Sequence, residues 1–313
     1  MIRPHSYGRW PGPAAEGPPR HCYFCGLAGP LAAAGKLRGP VPPSLRLPSG
    51  LPHVLVSFLI PAYNEATRLG DTLPQVLAYL AAQPYASEVV LIDDGSADAT
   101  ASIARQCFAD FAPPQVPTRV LSYQPNRGKG YAVRQGLAAA RGEVAVFSDA
   151  DLSAPLAELS NLLAPLLAGH YEVVFGSRAV DRRVVGVRQP WWREQGGRIF
   201  NWVMRGLTGL PYHDTQCGLK AYRLAPLRPL AAAARLNGFG FDVELLLLAR
   251  HAGLRLLEQP VRWNDAPGST VSLGAGLRSF YDVWRLRRWL RRGRYWRALS
   301  QARAAQVALP RHT

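Results

Sequence analysis

Three features of the chain predict an α/β fold built on a doubly wound parallel sheet. Short apolar runs at 54–60, 88–92, 119–122 and 144–148 have the length and composition of buried strands. The stretches between them carry helical periodicity, clearest at 68–83, where Leu69, Leu73, Val76, Leu77 and Leu80 share one face. Each run also ends abruptly in polar residues, and open α/β sheets bind ligands at that carboxyl edge. Strands alternating with helices in this way form parallel, right-handed crossovers.

In chain order, strand 54–60 stops at Pro61 and leads through P-A-Y-N-E (61–65) into the 68–83 helix. Strand 88–92 runs into D-D-G-S (93–96) and an alanine-rich helix from about 98. The third strand precedes N-R-G-K-G (126–130) and a helix over 131–140. The fourth ends in Asp149-Ala150-Asp151, followed by a helix over 156–168 and a strand over 172–178. An Arg/Val-rich surface loop is expected at 179–190. A helix at 193–207 carries Phe200, Trp202 and Val203 as core. Then come D-T-Q-C-G-L-K (214–220), a helix holding 241–246 and a strand over 256–263. A basic helix over 277–303 closes the order, with Leu277, Phe280, Tyr281 and Trp284 as an apolar stripe among arginines. That stripe reads either as an interfacial membrane helix or as a helix packed on its own domain with a solvated basic face.

Composition narrows the partners. The formal net charge is +16, and it is written almost wholly as arginine, since Lys36, Lys129 and Lys220 are the only lysines. Nucleic acid, an anionic membrane and phosphate-bearing substrates all suit such a balance. Cys22 and Cys25 are the one close cysteine pair. Zinc there needs two more ligands and only His21 is near, so a plain reduced pair is the simpler expectation. No apolar run reaches the roughly 18 residues of a spanning helix and no signal peptide is evident, which predicts a reduced, cytoplasmic protein. Three segments are expected: a Pro/Gly/Arg-rich leader at 1–52, disordered or an over-long start, a catalytic domain at 53–275, and the basic amphipathic segment at 276–313.

The strand ends differ in what they offer. Residues 61–65 supply an aromatic face and acceptors for a base and ribose, and 93–96 supplies carboxylates in a tight turn. Residues 126–130 precede a helix, so amides, dipole and cations there suit a phosphate. Asp149 and Asp151 are two apart on an extended chain and face the same way, two hard oxygen donors for Mg²⁺ or Mn²⁺ with substrate phosphates. A loop aspartate capping the helix that follows is the competing reading. Four clusters at one edge converge on a nucleotide diphosphate with its metal.

The series P-A-Y-N-E, D-D-G-S, N-R-G-K-G, D-A-D, G-S-R, D-T-Q-C-G-L-K, G-F-G-F-D-V-E-L-L and W-N-D-A-P-G-S, spanning roughly 54–290, resembles the family-2 inverting glycosyltransferases. Within them it is similar to the dolichyl-phosphate glucosyltransferase and bacterial polyprenyl-phosphate branch. The resemblance implies a GT-A-like, mostly parallel sheet flanked by helices, a nucleotide-sugar donor such as UDP-glucose, and a polyprenyl-phosphate acceptor. It places Pro61, Tyr63, Glu65, Asp93, Asp94, Lys129, Asp149, Ala150 and Arg178 at the nucleotide sugar, with Asp149 and Asp151 at the metal. Asp149, Asp151, Asp214, Lys220 and Asp242 are its candidate catalytic residues, and Arg178 and Lys220 are expected to meet phosphate charge. Two departures stand out: Thr270 follows Gly268-Ser269 where the family often has lysine, and the N-terminal membrane anchor of eukaryotic relatives is not seen. Membrane access is then expected from the C-terminal helix and Trp191-Trp192, at an anionic surface on the inner face of the cell membrane.

The implied reaction is in-line displacement at the anomeric carbon. A phosphate monoester, with a second pKa of about 6, needs no general base. A hydroxyl acceptor, on a saccharide or small molecule, would need one, and Asp214 or Asp242 would serve. Nucleic-acid binding is the rival from another class, but it gives no reason for acidic turns at successive strand ends.

Overall fold

Residues 56–178, 205–264 and 273–309 are described in a computed structural model, with side chains in the last segment from 280 onward. The expected leader, the Cys22–Cys25 pair, the 179–190 loop, Trp191-Trp192, most of the 193–207 helix and the loop carrying Gly268-Ser269-Thr270 lie outside the described residues.

The strands are β1 (Val56–Ala62), β2 (Ser87–Asp93), β3 (Thr118–Ser122), β4 (Val144–Ser148), β5 (Val173–Ser177), β6 (Leu219–Arg223) and β7 (Leu256–Pro260). They form one sheet in the order β3-β2-β1-β4-β6-β5-β7. The helices are α1 (Ala66–Ala81), α2 (Thr100–Phe111), α3 (Lys129–Ala139), α4 (Leu159–Leu167), α5 (Leu224–Ala233), α6 (Phe241–His251), α7 (Leu273–Arg291) and α8 (Trp296–Val307).

Strand alternation divides the core between the two faces. Phe58, Ile60, Leu91, Val144 and Val146 point toward α1, α2 and α4. Leu59, Val90, Ile92, Ala145 and Phe147 point toward α3, α5 and α6. Helix α6 is buried almost all round, as its run of four leucines requires. Its first turn delivers Asp242 and Glu244 into the interior, where the helix dipole favours negative charge.

Several expectations are corrected. β1 does not stop at Pro61: it pairs with β2 through Ala62, while its pairing with β4 ends at Leu59, so an imino acid there costs no ladder bond on that side. The sheet is mostly parallel, as the resemblance implied, with one antiparallel member. Residues 219–223, to which the sequence reading assigned no element, form β6, antiparallel to both β4 and β5. Its signal was the alternation of Leu219 and Ala221 on one face with Lys220 and Tyr222 on the other.

The single basic helix is two helices, broken at Gly293, whose φ of 65° suits a residue without a side chain. Val283, Leu286, Tyr295, Ala298 and Ala302 join the core on the α3 and α6 face, and α8 packs along α5. The segment after 276 thus shares the sheet's hydrophobic core. Phe280 and Trp289 pack partly against that core, whereas Tyr281 and Trp284 stand on the exposed side.

Candidate active site

The parallel strands bring 61–65, 93–96, 126–129 and 149–151 to one edge. The first two clusters are stitched together. Asn64, in the left-handed region at φ 54°, donates its amide to Ser96 Oγ at 2.9 Å and accepts from the Ala97 amide at 3.0 Å. The Glu65 amide donates to Thr100 Oγ1, and the Glu65 carboxylate pairs with Arg68 at 2.7 Å. This turn leaves the Tyr63 ring 48% exposed, a flat surface on which a base can stack. Pro61 and Ala150 are both buried.

Asp94 is not free to read a base. Its carboxylate accepts from Tyr123 Oη (2.8 Å), Asn126 Nδ2 (3.0 Å) and the amides of Arg127 (3.0 Å) and Gly128 (2.8 Å), so it staples the N-R-G-K-G loop to the end of β2. Tyr123 was missed in the sequence, and Asn126, quoted there only as the first residue of N-R-G-K-G, also donates to the Asp94 carbonyl at 2.9 Å. Gly95 allows the approach: a Cβ there would lie 2.6 Å from the Asn126 nitrogen. Asp93 is buried, and one of its oxygens accepts from the Ser96 amide at 3.0 Å. Arg127 turns away to Tyr131 Oη, and the Gly130 amide at the start of α3 donates to the Asn237 carbonyl at 2.7 Å.

Lys129 itself points into the site. Its ammonium lies 2.6 Å from Asp149 Oδ1, with the two side chains 25% and 26% exposed. Burial would depress the lysine pKa, but Asp149, Asp242 and Asp151 outweigh it and raise it, so Lys129 is charged. Asp149 rests against Gly218, where a Cβ would come within 2.0 Å of its Oδ2. That is why a glycine stands before β6, and the Asp149 amide donates to its carbonyl.

The two D-A-D carboxylates therefore differ. Asp149 is neutralised by Lys129, while Asp151 uses Oδ1 for the Ser153 amide at 3.0 Å and caps no helix: the helical turn that follows starts at Leu156, after Pro155, without a side-chain cap. Leu152, directly after Asp151, has φ 49°, a strained conformation of the kind found at ligand sites. Among the described residues, no three His, Cys, Asp or Glu side chains form a group that could hold an ion unaided.

Two further pairs complete the site, one beneath this edge and one at the end of β5. Phe147 of β4 stands opposite Lys220 of β6, and Phe175 of β5 opposes the same lysine, so the ammonium is held in the middle of the sheet. It meets Asp242 Oδ1 at 2.7 Å and donates to the Cys217 carbonyl. Lys220 is 0% and Asp242 3% exposed. Burial pushes the Asp242 carboxyl up, against the opposing pull of Lys220 and Lys129. The expectation that Lys220 touches phosphate does not match this placement.

Arg178 at the end of β5 grips Asp214 through Nε (2.7 Å), Nη2 (3.0 Å) and its own amide (3.1 Å), with its guanidinium 4.9 Å from the Trp263 ring centre. Burial alone would raise the Asp214 pKa, but Arg178 and its hydrogen bonds bring it below the ordinary aspartate value. Glu258 of β7 accepts from the amides of His213 and Asp214 and holds this turn in place. Neither Asp214 nor Asp242 is positioned as a free base.

Residues 57–228 match glycosyl transferase family 2. The dolichyl-phosphate beta-glucosyltransferase of Drosophila melanogaster is 34% identical over 231 residues, covering 71% of this chain and 70% of that protein. The Saccharomyces cerevisiae protein of the same name is 30% identical over 243 residues, 71% and 70% of the two chains. Glycosyltransferase AglD of Haloferax volcanii is 30% identical over 244 residues, 74% of this chain and 38% of its own length. In fold, the chain is similar to Mycobacterium tuberculosis glucosyl-3-phosphoglycerate synthase (TM-score 0.53, 22% identity, 74% and 79% covered). It is also similar to Rubrobacter xylanophilus mannosyl-3-phosphoglycerate synthase (0.53, 20%, 77% and 76%). The mostly parallel seven-stranded sheet with helices on both faces is accordingly a GT-A fold. On the family match and these identities, the chain belongs to glycosyl transferase family 2 and is an inverting glycosyltransferase.

Proposed function

We propose that this enzyme transfers glucose from UDP-glucose to a polyprenyl or dolichyl phosphate, with Mg²⁺ or Mn²⁺ as cofactor, at the inner face of the cell membrane. One observation carries the choice of acceptor. The two carboxylates available to deprotonate a hydroxyl, Asp214 and Asp242, are both buried and both engaged by a cation. A phosphate monoester is mostly dianionic at neutral pH and needs no such base. The similarity to dolichyl-phosphate beta-glucosyltransferases supports the same acceptor and sugar, and the related synthase has been solved with Mn²⁺ and UDP-glucose.

Each residue at the edge has a part in this reading. Tyr63 stacks the base, and the stitched turns 61–65 and 93–96 set the depth to which the nucleoside enters. Lys129 is the cation nearest the carboxylate pair and meets the diphosphate, exchanging Asp149 for phosphate oxygens. Arg178 is held in one orientation by Asp214 and Trp263, so its exposed part presents positive charge to an incoming phosphate without reorganisation. The donor set suits a hard divalent ion shared with substrate phosphates: Asp151 and, once Lys129 has moved, Asp149 would hold it. Such an ion supplies charge neutralisation to the departing diphosphate. Inversion follows from attack of the acceptor phosphate on the face opposite the leaving group.

The test is transfer from a panel of radiolabelled sugar nucleotides to polyprenyl phosphate, with Mg²⁺ or Mn²⁺, read as glycolipid in the organic phase. Asp151→Asn is expected to lower turnover by roughly 10²-fold or more while the unfolding midpoint stays put. Transfer to a soluble hydroxyl acceptor but not to the lipid phosphate would sink the reading.

A further inference from the structure

The C-terminal helices present a face that the transfer chemistry leaves unused. Tyr281 and Trp284 on α7 are 58% and 52% exposed, with ring centres 6.0 Å apart and stacked. Arg288 lies 5.8 Å from the Trp284 ring and Arg285 5.6 Å from the Tyr281 ring. On a helix, Tyr281, Trp284, Arg288 and Arg291 follow one another at i, i+3, i+7 and i+10, a single exposed stripe. Val283 and Leu286 anchor the opposite side in the core. The orientation of the stripe is therefore set by packing. From Val283 to Leu309 there are eight arginines and no acidic residue.

The face adjoins the active site. A Cβ at Gly240 would lie 3.2 Å from Asp282 Cβ, so the loop carrying the exposed Phe239 abuts the turn of α7 that carries Tyr281. The Phe239 carbonyl accepts from Gln216 Nε2 at 3.4 Å, and the Gln216 amide donates to Asp214, the carboxylate that orients Arg178.

We infer that the Tyr281–Trp284–Arg288–Arg291 face of α7 is the surface by which the enzyme lies on an anionic lipid bilayer, with Phe239 marking the side from which the acceptor phosphate enters. Amphipathic rings suit the headgroup boundary, and stacked guanidiniums beside them suit anionic headgroups. A protein partner would need a matching acidic surface, whereas an anionic leaflet supplies that charge everywhere. The inference rests on the lipid-phosphate reading above and adds the residues that bring the site to the lipid.

The experiment is co-sedimentation of the full chain with phosphatidylcholine vesicles, with or without phosphatidylglycerol, alongside transfer to a detergent-dispersed polyprenyl phosphate. The wild type is expected to bind only the anionic vesicles and to be released when salt shortens the Debye length to about 3 Å. Tyr281→Ala with Trp284→Ala should lower partitioning by roughly tenfold or more, and Arg288→Gln or Arg291→Gln by about fivefold each. All are expected to leave transfer to the dispersed acceptor unchanged. Vesicle binding that these substitutions do not alter would overturn the inference while leaving the acceptor reading intact. Vesicle binding lost as expected, with no transfer to any polyprenyl phosphate, would support the surface and break the reading beneath it. A concentration-dependent dimer abolished by the same substitutions, without vesicle binding, would overturn it in favour of a second copy of the chain.

Discussion

Lys129 and Lys220 approach the same ring, each 5.4 Å from the centre of Phe147, and each meets an aspartate. The first pair, with Asp149, keeps a quarter of each side chain in solvent, while the second, with Asp242, has almost none. Identical chemistry thus has two meanings. A partly exposed pair is worth little to stability and can be exchanged for a ligand's charge. A fully buried pair cannot exchange, because removing either partner strands a charge where water does not reach. The edge of the sheet therefore holds the groups whose charge can be exchanged, and the layer below holds those whose charge cannot.

Breaking the buried pair should give the largest effect. Lys220→Met is expected to cost about 3–5 kcal/mol in urea unfolding, and the double variant Lys220→Met with Asp242→Leu should recover most of it. Equal stability of the single variant and wild type would remove the distinction between the two lysines. Tyr295→Phe comes next. It deletes the 2.6 Å hydrogen bond from Tyr295 to Glu244, the carboxylate that also accepts from the amides of Arg235 and Leu236. A loss of about 1.5–3 kcal/mol is expected, measured the same way. Asn237, next in that turn, accepts the Gly130 amide, so the donor's KM should rise as well.

The pairing of Asp214 has a pH signature. Its depressed pKa means that the native state binds fewer protons than the unfolded state in the acid range. The stabilisation is present above the ordinary aspartate value of about 3.9 and is lost as pH falls through the native value. Asp214→Asn should therefore be less stable than wild type at neutral pH, and the gap should close in acid unfolding series from about pH 5 downward. A gap that is constant with pH would remove the ion pair as its cause. The smallest stability change is expected for Lys129→Met, within about 1 kcal/mol. Its transfer rate should nonetheless fall by roughly 10²-fold. With that outcome the partly exposed pair would matter for turnover and the buried one for folding.

The first four strands and their helices were legible because burial there is periodic: Leu69, Leu73, Val76, Leu77 and Leu80 fall on one side of α1 as their spacing requires. β6 was not, since a lysine in mid-strand contradicts an apolar pattern until its buried partner is known. The edge at which the polar clusters gather was equally readable, because parallel strands carry their ends to one side. Which members of those clusters remain available to a ligand was not readable.

The sequence alone determined the alternation of strands and helices, the edge at which the polar clusters gather and the types of residue placed there, all of which follow from local periodicity and chain direction. Only the tertiary structure decided that Asp94 is consumed by 123–128, that Asp149 rests on Gly218 beneath Lys129, and that Asp242 belongs to Lys220. The physical reason is range. Periodicity is a property of neighbours along the chain, but the state of a carboxylate depends on which distant donor or cation comes within about 4 Å.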